Sequence, residues 1–269
     1  MNYQINMYAE NPKISYKISD VITACLRGLE TFLNYITENK TDSLAAITEY
    51  LIEKFDNNKD YGIKVEMNYE ILNQHPELIK RSINAILSLF NFSKYNPKSI
   101  EEQTEVDVSD IIRTLNHFEY SFMNILHSIM TREETIEFIK KMADDLVQSR
   151  KNPENYVETF EDVLERFKGG LERWQSQEVS FQNLDNKKLL YKVNKCRWAE
   201  VMKGLDLELS YILTCYTDFE NTKNLNPNFI LTRSKTLMRG DDYCDFCYHD
   251  TRYEKEIMHP SDKEFLELD

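Results

Sequence analysis

Residues 177–196 read QEVSFQNLDNKKLLYKVNKC, and here the chain changes its periodicity. Aliphatic, aromatic and β-branched residues stand in two arms around Asn183-Leu184-Asp185-Asn186, four residues with turn chemistry. Arms of that composition around such a turn predict a β-hairpin. Further on, NPNFILTRSKTLMRGDDYCDFCYHD (226–250) has the same grammar. Phe229 to Met238 is expected as one strand, Gly240-Asp241-Asp242 as the turn and Tyr243 to Tyr248 as the return. Together these arms make four strands of one antiparallel sheet.

Everything before this stretch scans with a period near 3.6. SDVITACLRGLETFLNYI (19–36) opens at Ser19, a good N-cap, and spaces Val21, Ile22, Cys25, Leu26, Leu29, Phe32, Leu33 and Ile36 by three and four. DSLAAITEYLIEKF repeats the pattern from Asp42, and in HPELIKRSINAILSLFNF Pro76 suits a first helical turn. VSDIIRTLNHFEYSFMNILHSIM (108–130) has a broad apolar face and is expected as a central helix facing the sheet. TREETIEFIKKMADDL opens with a capping box, Thr131 with Glu134. NPENYVETFEDVLERFKGGLERW runs from Asn152-Pro153, with Gly169-Gly170 as a weak point.

The expected class is therefore α+β: a helical amino-terminal two thirds, residues 1–175, packed on a small four-stranded antiparallel sheet within residues 176–269. Residues 92–106 mark a boundary inside the helical region, and the acidic tail 259–269 is expected to be loose. No internal repeat is visible.

Composition narrows the function. A net charge of −13 speaks against nucleic acid or an anionic membrane as partner, because phosphate binding needs concentrated positive charge. The start, MNYQINMYAENPK, lacks the apolar core of a signal peptide, and no run of apolar residues spans a bilayer. Five cysteines, an odd number, argue for a reducing cytoplasm over a disulfide framework. The expectation is a cytoplasmic protein with a small-molecule partner, open to assembly as a homo-oligomer. Four of the five cysteines lie in 196–247.

Cys244 and Cys247 form a Cys-x-x-Cys pair. On a strand, residues three apart point to opposite faces, which disfavours joint chelation of zinc. A redox pair would need its first thiol at a helix N-terminus, which this stretch does not supply. The plainer reading is two small residues in a strand.

The surroundings are more specific. KCRWAEVMKGLDLELSYILTCYTDFE followed by LTRSKTLMRGDDYCDFCY resembles the carboxy-terminal signature of the L-2-amino-thiazoline-4-carboxylic acid hydrolase family over roughly residues 185–250. The matching positions are Cys196, Gly204, Cys215, Asp218, Arg233, Gly240, Cys244, Asp245 and Phe246, and Cys247 is outside the pattern. The resemblance implies a hydrolase that opens a small thiazoline or cyclic amidine carboxylate, with no cofactor required. In that reading Cys244 is the nucleophile and His249 the general acid–base. Asp218 or Asp245 holds the amidinium, and Arg233 forks onto the carboxylate. Cys196, Cys215 and Phe246 complete the binding wall, and His117, with Glu119 and Tyr120, approaches it from the central helix.

Each of these residues also has a structural reading. Cys196 and Cys215 suit a core, Arg233 a solvent-facing strand position, Asp218 a helix cap and His249 a strand end. His117 and His127 lie ten apart on one helix and point roughly 80° apart, too far for paired ligands. A second functional class stays open: a non-catalytic ligand- or metal-binding module resembling 4-vinyl reductase-type sensory domains. There Cys196, Cys215 and Cys244, with His249 or Asp218, would hold zinc.

Overall fold

The structure is a computed structural model that describes residues 2–56, 59–65, 68–184 and 187–268, the side chains of 2–6 excepted. In chain order the strands are β1 (Asn2–Tyr8), β2 (Lys13–Lys17), β3 (Gln103–Asp107), β4 (Ser176–Leu184), β5 (Lys188–Cys196), β6 (Phe229–Thr232) and β7 (Cys244–Asp250). The helices are α1 (Ile18–Asn39), α2 (Leu44–Lys54), α3 (Pro76–Leu89), α4 (Phe92–Tyr95), α5 (Val108–Met123), α6 (Arg132–Ser149), α7 (Phe160–Trp174), α8 (Arg197–Val201), α9 (Leu207–Tyr211), α10 (Asp218–Leu225) and α11 (Asp262–Leu266). The α+β class holds, with helices mostly before residue 175 and the sheet mostly after it.

Two details depart from expectation. The sheet has five antiparallel strands in the order β1-β4-β5-β7-β6, because the amino terminus supplies an edge strand. Its sequence alternates Tyr3, Ile5 and Met7 with polar residues, and it pairs Tyr3 with Phe181 and Ile5 with Val179. A separate two-stranded ribbon joins β2 to β3 inside the region read as wholly helical. Both strands are short, so neither leaves a long alternating run.

The chain forms two compact units, Met1–Pro12 with Lys140–Asp269, and Lys13–Ile139. The division falls earlier than the change of periodicity near 175, because α7 packs on the sheet and β1 returns to it.

In the 13–139 unit the eight apolar residues spaced along α1 are all buried. Helix α1 begins one residue before the expected cap, and the Ser19 hydroxyl donates to Glu101 at 3.0 Å instead. The capping box before α6 is present in both directions, Thr131 N–H to Glu134 at 2.9 Å and Glu134 N–H to Thr131 Oγ1 at 3.2 Å. Glu30, buried on α1, accepts from the N–H groups of Glu70 (2.8 Å), Ile71 (2.9 Å) and Leu72 (2.9 Å). This carboxylate satisfies three backbone donors that lie outside any strand. Glu30→Ala should cost about 2–4 kcal/mol, since buried donors left unsatisfied carry their full desolvation penalty. Urea denaturation checks this, and a loss below about 0.5 kcal/mol would mean that water replaces the carboxylate.

In the other unit α7 covers the front of the sheet, where Phe160, Val163 and Leu171 meet Val179, Phe229 and Leu231. Phe160 and Phe229 lie 4.7 Å apart. The helix starts at a capping box, Thr159 with Asp162, and runs through Gly169-Gly170 unbroken. Of the hairpin turn before β5, Asp185 and Asn186 lie outside the described residues. The strand expected over 229–238 ends at Thr232, because the Asp245 carboxylate takes the N–H groups of Ser234 (2.8 Å) and Lys235 (2.7 Å) out of the ladder.

The tail expected to be loose is folded. Ser261 and Glu264 cap α11, and Phe265 and Leu268 pack with Leu190 and Cys247 on the back of the sheet. Among the described residues no helix is long and apolar enough to cross a membrane.

Candidate functional site

Alternation along β7 sorts its side chains. Cys244, Phe246 and Tyr248 point to the front, beneath α7, while Cys247 packs on the back. A cavity of about 440 Å³ opens between the front face, α7 and the segment after α9. Cys196, Cys215 and Cys244 all line it, as does Asp218. Its walls are aromatic: Phe167 and Trp174 of α7, Tyr191, Trp198, Phe246 and Tyr248. The size suits a small ligand, and aromatic walls with few polar groups are typical of such sites.

Each thiol reaches the cavity by a different local device. Cys196 ends β5 and precedes α8, so its sulfur faces the N–H groups of Trp198 and Ala199 and accepts from Gln177 Nε2 at 3.7 Å. Gly204, at φ +93°, turns the chain from α8 toward α9. Cys215 lies in a π-helical turn, Ile212–Tyr216, a wide turn often found at functional sites. Cys244 starts β7 after the left-handed turn at Gly240, also at φ +93°; its sulfur accepts from Leu237 N–H at 3.2 Å and contacts the Thr236 hydroxyl at 3.6 Å. Burial raises all three thiols, Cys215 and Cys244 to about 12, so none is ionised at neutral pH.

Asp218, at the start of α10, is the cavity's acid. Burial pushes its pKa up to about 6, against the pull of the Arg233 guanidinium 2.8 Å away. The roughly one third of its side chain that is exposed, 35%, opens into the cavity. The pair stays charged at neutral pH, since the carboxylate holds Arg233 well above its ordinary value despite burial.

Arg233 does not line the cavity. Its side chain is 2% exposed and fully engaged: it donates to Asp218, to the Tyr211 hydroxyl (3.0 Å) and to the Cys215 carbonyl (2.9 Å). Rings of Tyr211, Phe219 and Phe246 lie 5.2, 5.0 and 4.8 Å from it. The expected fork onto a substrate carboxylate is replaced by one that holds Asp218 and the π turn.

Asp245 and His249 are on the other face of β7. Asp245 accepts from Ser234, Lys235 and His259, and His249 is buried between Thr232 and Glu254. Neither reaches the cavity, because each is an odd number of residues from Cys244. His117, Glu119 and Tyr120 belong to α5 in the other unit and are not among the lining residues. Among the described residues no three His, Cys, Asp or Glu side chains are grouped to hold a metal ion, so the thiol trio lacks the convergence a zinc site needs.

Arg166 of α7 escaped the sequence reading. It lines the cavity with two of its donors held by the Asn155 carbonyl (3.0 Å) and Oδ1 (2.8 Å). Among the described residues it is the cation that lines the cavity, opposite in charge to Asp218. The available signal was the double glycine: Arg166, Gly170 and Trp174 recur every fourth residue on one helix stripe, and Gly170 leaves open space there.

Residues 104–248 match the sequence model of the family described as L-2-amino-thiazoline-4-carboxylic acid hydrolase. No curated protein and no solved structure matches the chain. The match extends well upstream of the cysteine signature and takes in more than half of the sequence, including every element that lines the cavity. The chain belongs to the L-2-amino-thiazoline-4-carboxylic acid hydrolase family.

Proposed function

We propose that this chain hydrolyses a small cyclic amidine carboxylate of the 2-amino-thiazoline type in the three-thiol cavity. The observation that carries the reading is the near-neutral carboxylate of Asp218 beside three thiols in one aromatic cavity. A 2-amino-thiazoline-4-carboxylate carries an amidine that is readily protonated and a carboxylate. Ionised Asp218 suits the first, and the free donors of Arg166 suit the second.

Among the thiols the donor set favours Cys196 as nucleophile over Cys244. The Cys196 sulfur accepts from Gln177 Nε2, and the backbone N–H groups of Trp198 and Ala199 act with it, against burial, in favour of a developing thiolate. The Cys196 sulfur bonds to the ring carbon between nitrogen and sulfur of the protonated amidine, and its proton passes to Asp218. The ring C–S bond then breaks, and the departing sulfur takes a proton and leaves as a thiol. Water adds to the same carbon, the bond to Cys196 breaks, and the product is an N-carbamoyl amino acid with a free thiol. Asp218 accepts and returns protons through both halves.

Release of free thiol from 2-amino-thiazoline-4-carboxylate tests the reading, with Cys196→Ser, Cys215→Ser and Cys244→Ser compared under identical conditions. Cys196→Ser should lose about 10³-fold or more in turnover, because a serine hydroxyl is a far weaker nucleophile and a poorer leaving group than a thiol. The other two should lose less than about tenfold, as packing changes at small buried residues. Loss confined to Cys244→Ser would move the nucleophile to the strand cysteine. Binding of the compound by calorimetry without thiol release would favour a non-catalytic binder.

A further inference from the structure

On the back of the sheet, away from the cavity, two histidines share one hydroxyl. Thr232 Oγ1 lies 2.8 Å from His249 Nε2 and 2.8 Å from His259 Nδ1. The far nitrogen of each ring meets a carboxylate: His249 Nδ1 is 2.7 Å from Glu254 Oε2, and His259 Nε2 is 2.9 Å from Asp245 Oδ2. Burial works against ionisation of both acids. Their hydrogen bonds outweigh it, from His259 and Ser234 at Asp245, and from Lys188 and His249 at Glu254, and hold both below the usual range.

Counting protons then constrains the network. An ionised carboxylate only accepts, so the ring nitrogens facing Glu254 and Asp245 must carry protons. Two ring nitrogens remain, facing one hydroxyl with a single proton to give. With both rings neutral, two acceptors compete for that proton and one contact becomes lone pair against lone pair. One added proton satisfies every atom. A second would direct two imidazolium N–H groups at one oxygen and leave the hydroxyl only the weakly accepting sulfur of Cys247, its register partner.

We infer that this network holds one proton beyond the neutral rings, on His259, and that this proton fastens residues 259–268 to the back of the sheet. His259 donates Nδ1–H to Thr232, whose hydroxyl donates to Nε2 of a neutral His249 in its Nδ1–H tautomer. The assignment follows from the surroundings. His249 is wholly buried, and burial disfavours its charged form, whereas the partly exposed His259 faces Asp245 and stacks on Phe265 at 5.5 Å.

The surrounding charge agrees. Lys188 and Lys192 of β5 and Lys235 after β6 face the network or its partners, against Asp245, Glu254, and Asp262 and Glu264 of α11. The acids outnumber the ammonium groups by one, and the imidazolium makes up the difference. Because His259, Phe265 and Leu268 belong to one short segment, the fastening holds α11 over Leu190 and Cys247.

The test uses the full chain, with ring nitrogen shifts of both histidines and amide exchange in α11 followed against pH by NMR. At neutral pH His249 should show the Nδ1–H tautomer and His259 both nitrogens protonated. Raising the pH should lower the protection of the α11 amides, measured against the intrinsic base-catalysed exchange rate. Thr232→Val should lower that protection about tenfold at neutral pH, the loss of one net hydrogen bond, and remove its pH dependence. Thr232→Ser should restore both. Finding His249 protonated on Nε2, or both rings neutral while α11 stays protected, overturns the inference, and this holds even if the valine variant fails to fold. Wild-type pH dependence in a folded Thr232→Val does the same.

Discussion

Asp218→Asn is expected to lower turnover about 10²–10³-fold, the usual contribution of a positioned acid–base group. The amide keeps the size and a hydrogen bond to Arg233, so helical content should persist. The pH dependence separates this role from a structural one. With its pKa pushed up to about 6, Asp218 is ionised at neutral pH, and activity should fall as pH drops through that value. The stability effect has the opposite sense. The folded protein binds the Asp218 proton more tightly than the unfolded chain, where the ordinary value is 3.8. The resulting stabilisation is complete below about 3.8 and lost as pH rises through about 6. Asp218→Asn should therefore remove a downward slope in stability across that window. A variant that keeps wild-type turnover, or an activity limb that does not move, would leave Asp218 as a helix cap.

Arg233→Met should be the most destabilising change near the cavity, at about 3 kcal/mol. Breaking a buried ion pair typically costs about 3–5 kcal/mol, and the lower end applies because part of Asp218 opens into the cavity. The substitution also removes the donors to Tyr211 and the Cys215 carbonyl. Without the guanidinium, Asp218 should bind its proton more tightly still, and the acidic limb of activity should move to higher pH. The double variant Arg233→Met/Asp218→Asn should recover part of the stability, since no carboxylate is left without its cation. Arg166→Met offers the contrast: weaker binding of the carboxylate ligand with stability nearly unchanged. Equal loss of stability in both variants would contradict the division of labour between the two arginines.

Much of this was legible because periodicity reports burial. The change near residue 177 gave the sheet, and alternation along β7 put Cys244 on one face and Cys247 on the other. The same rule, applied to Asp245 and His249, places them behind the sheet, yet the family-like spacing drew Asp245 toward the chemistry, and nearness in sequence drew His249. Arg233 looked like a strand residue facing solvent or substrate; a short strand ending at Thr232 and three aromatic rings make it an internal brace. Its partners are distant in sequence, and periodicity says nothing about pairs of that kind. The fifth strand was missed because seven residues of alternation near a terminus have no signal beyond a partner 170 residues away, and Arg166 because an exposed helix residue has the same pattern whether it faces water or a cavity.

The pairing of β1 with β4 has a consequence for biosynthesis. Residues 2–8 leave the ribosome well before the strand that receives them, 176–184. In the interval the 13–139 unit is complete in sequence and free to fold, leaving the leading strand as an unmatched edge. Vectorial folding is therefore interrupted: an inserted unit matures first, and the surrounding one closes only when β4 arrives. Until then both edges are open to another copy of the chain, and an unpaired strand edge is a template for association. A chain lacking its first strand should accordingly betray itself by concentration-dependent aggregation, with its helices intact.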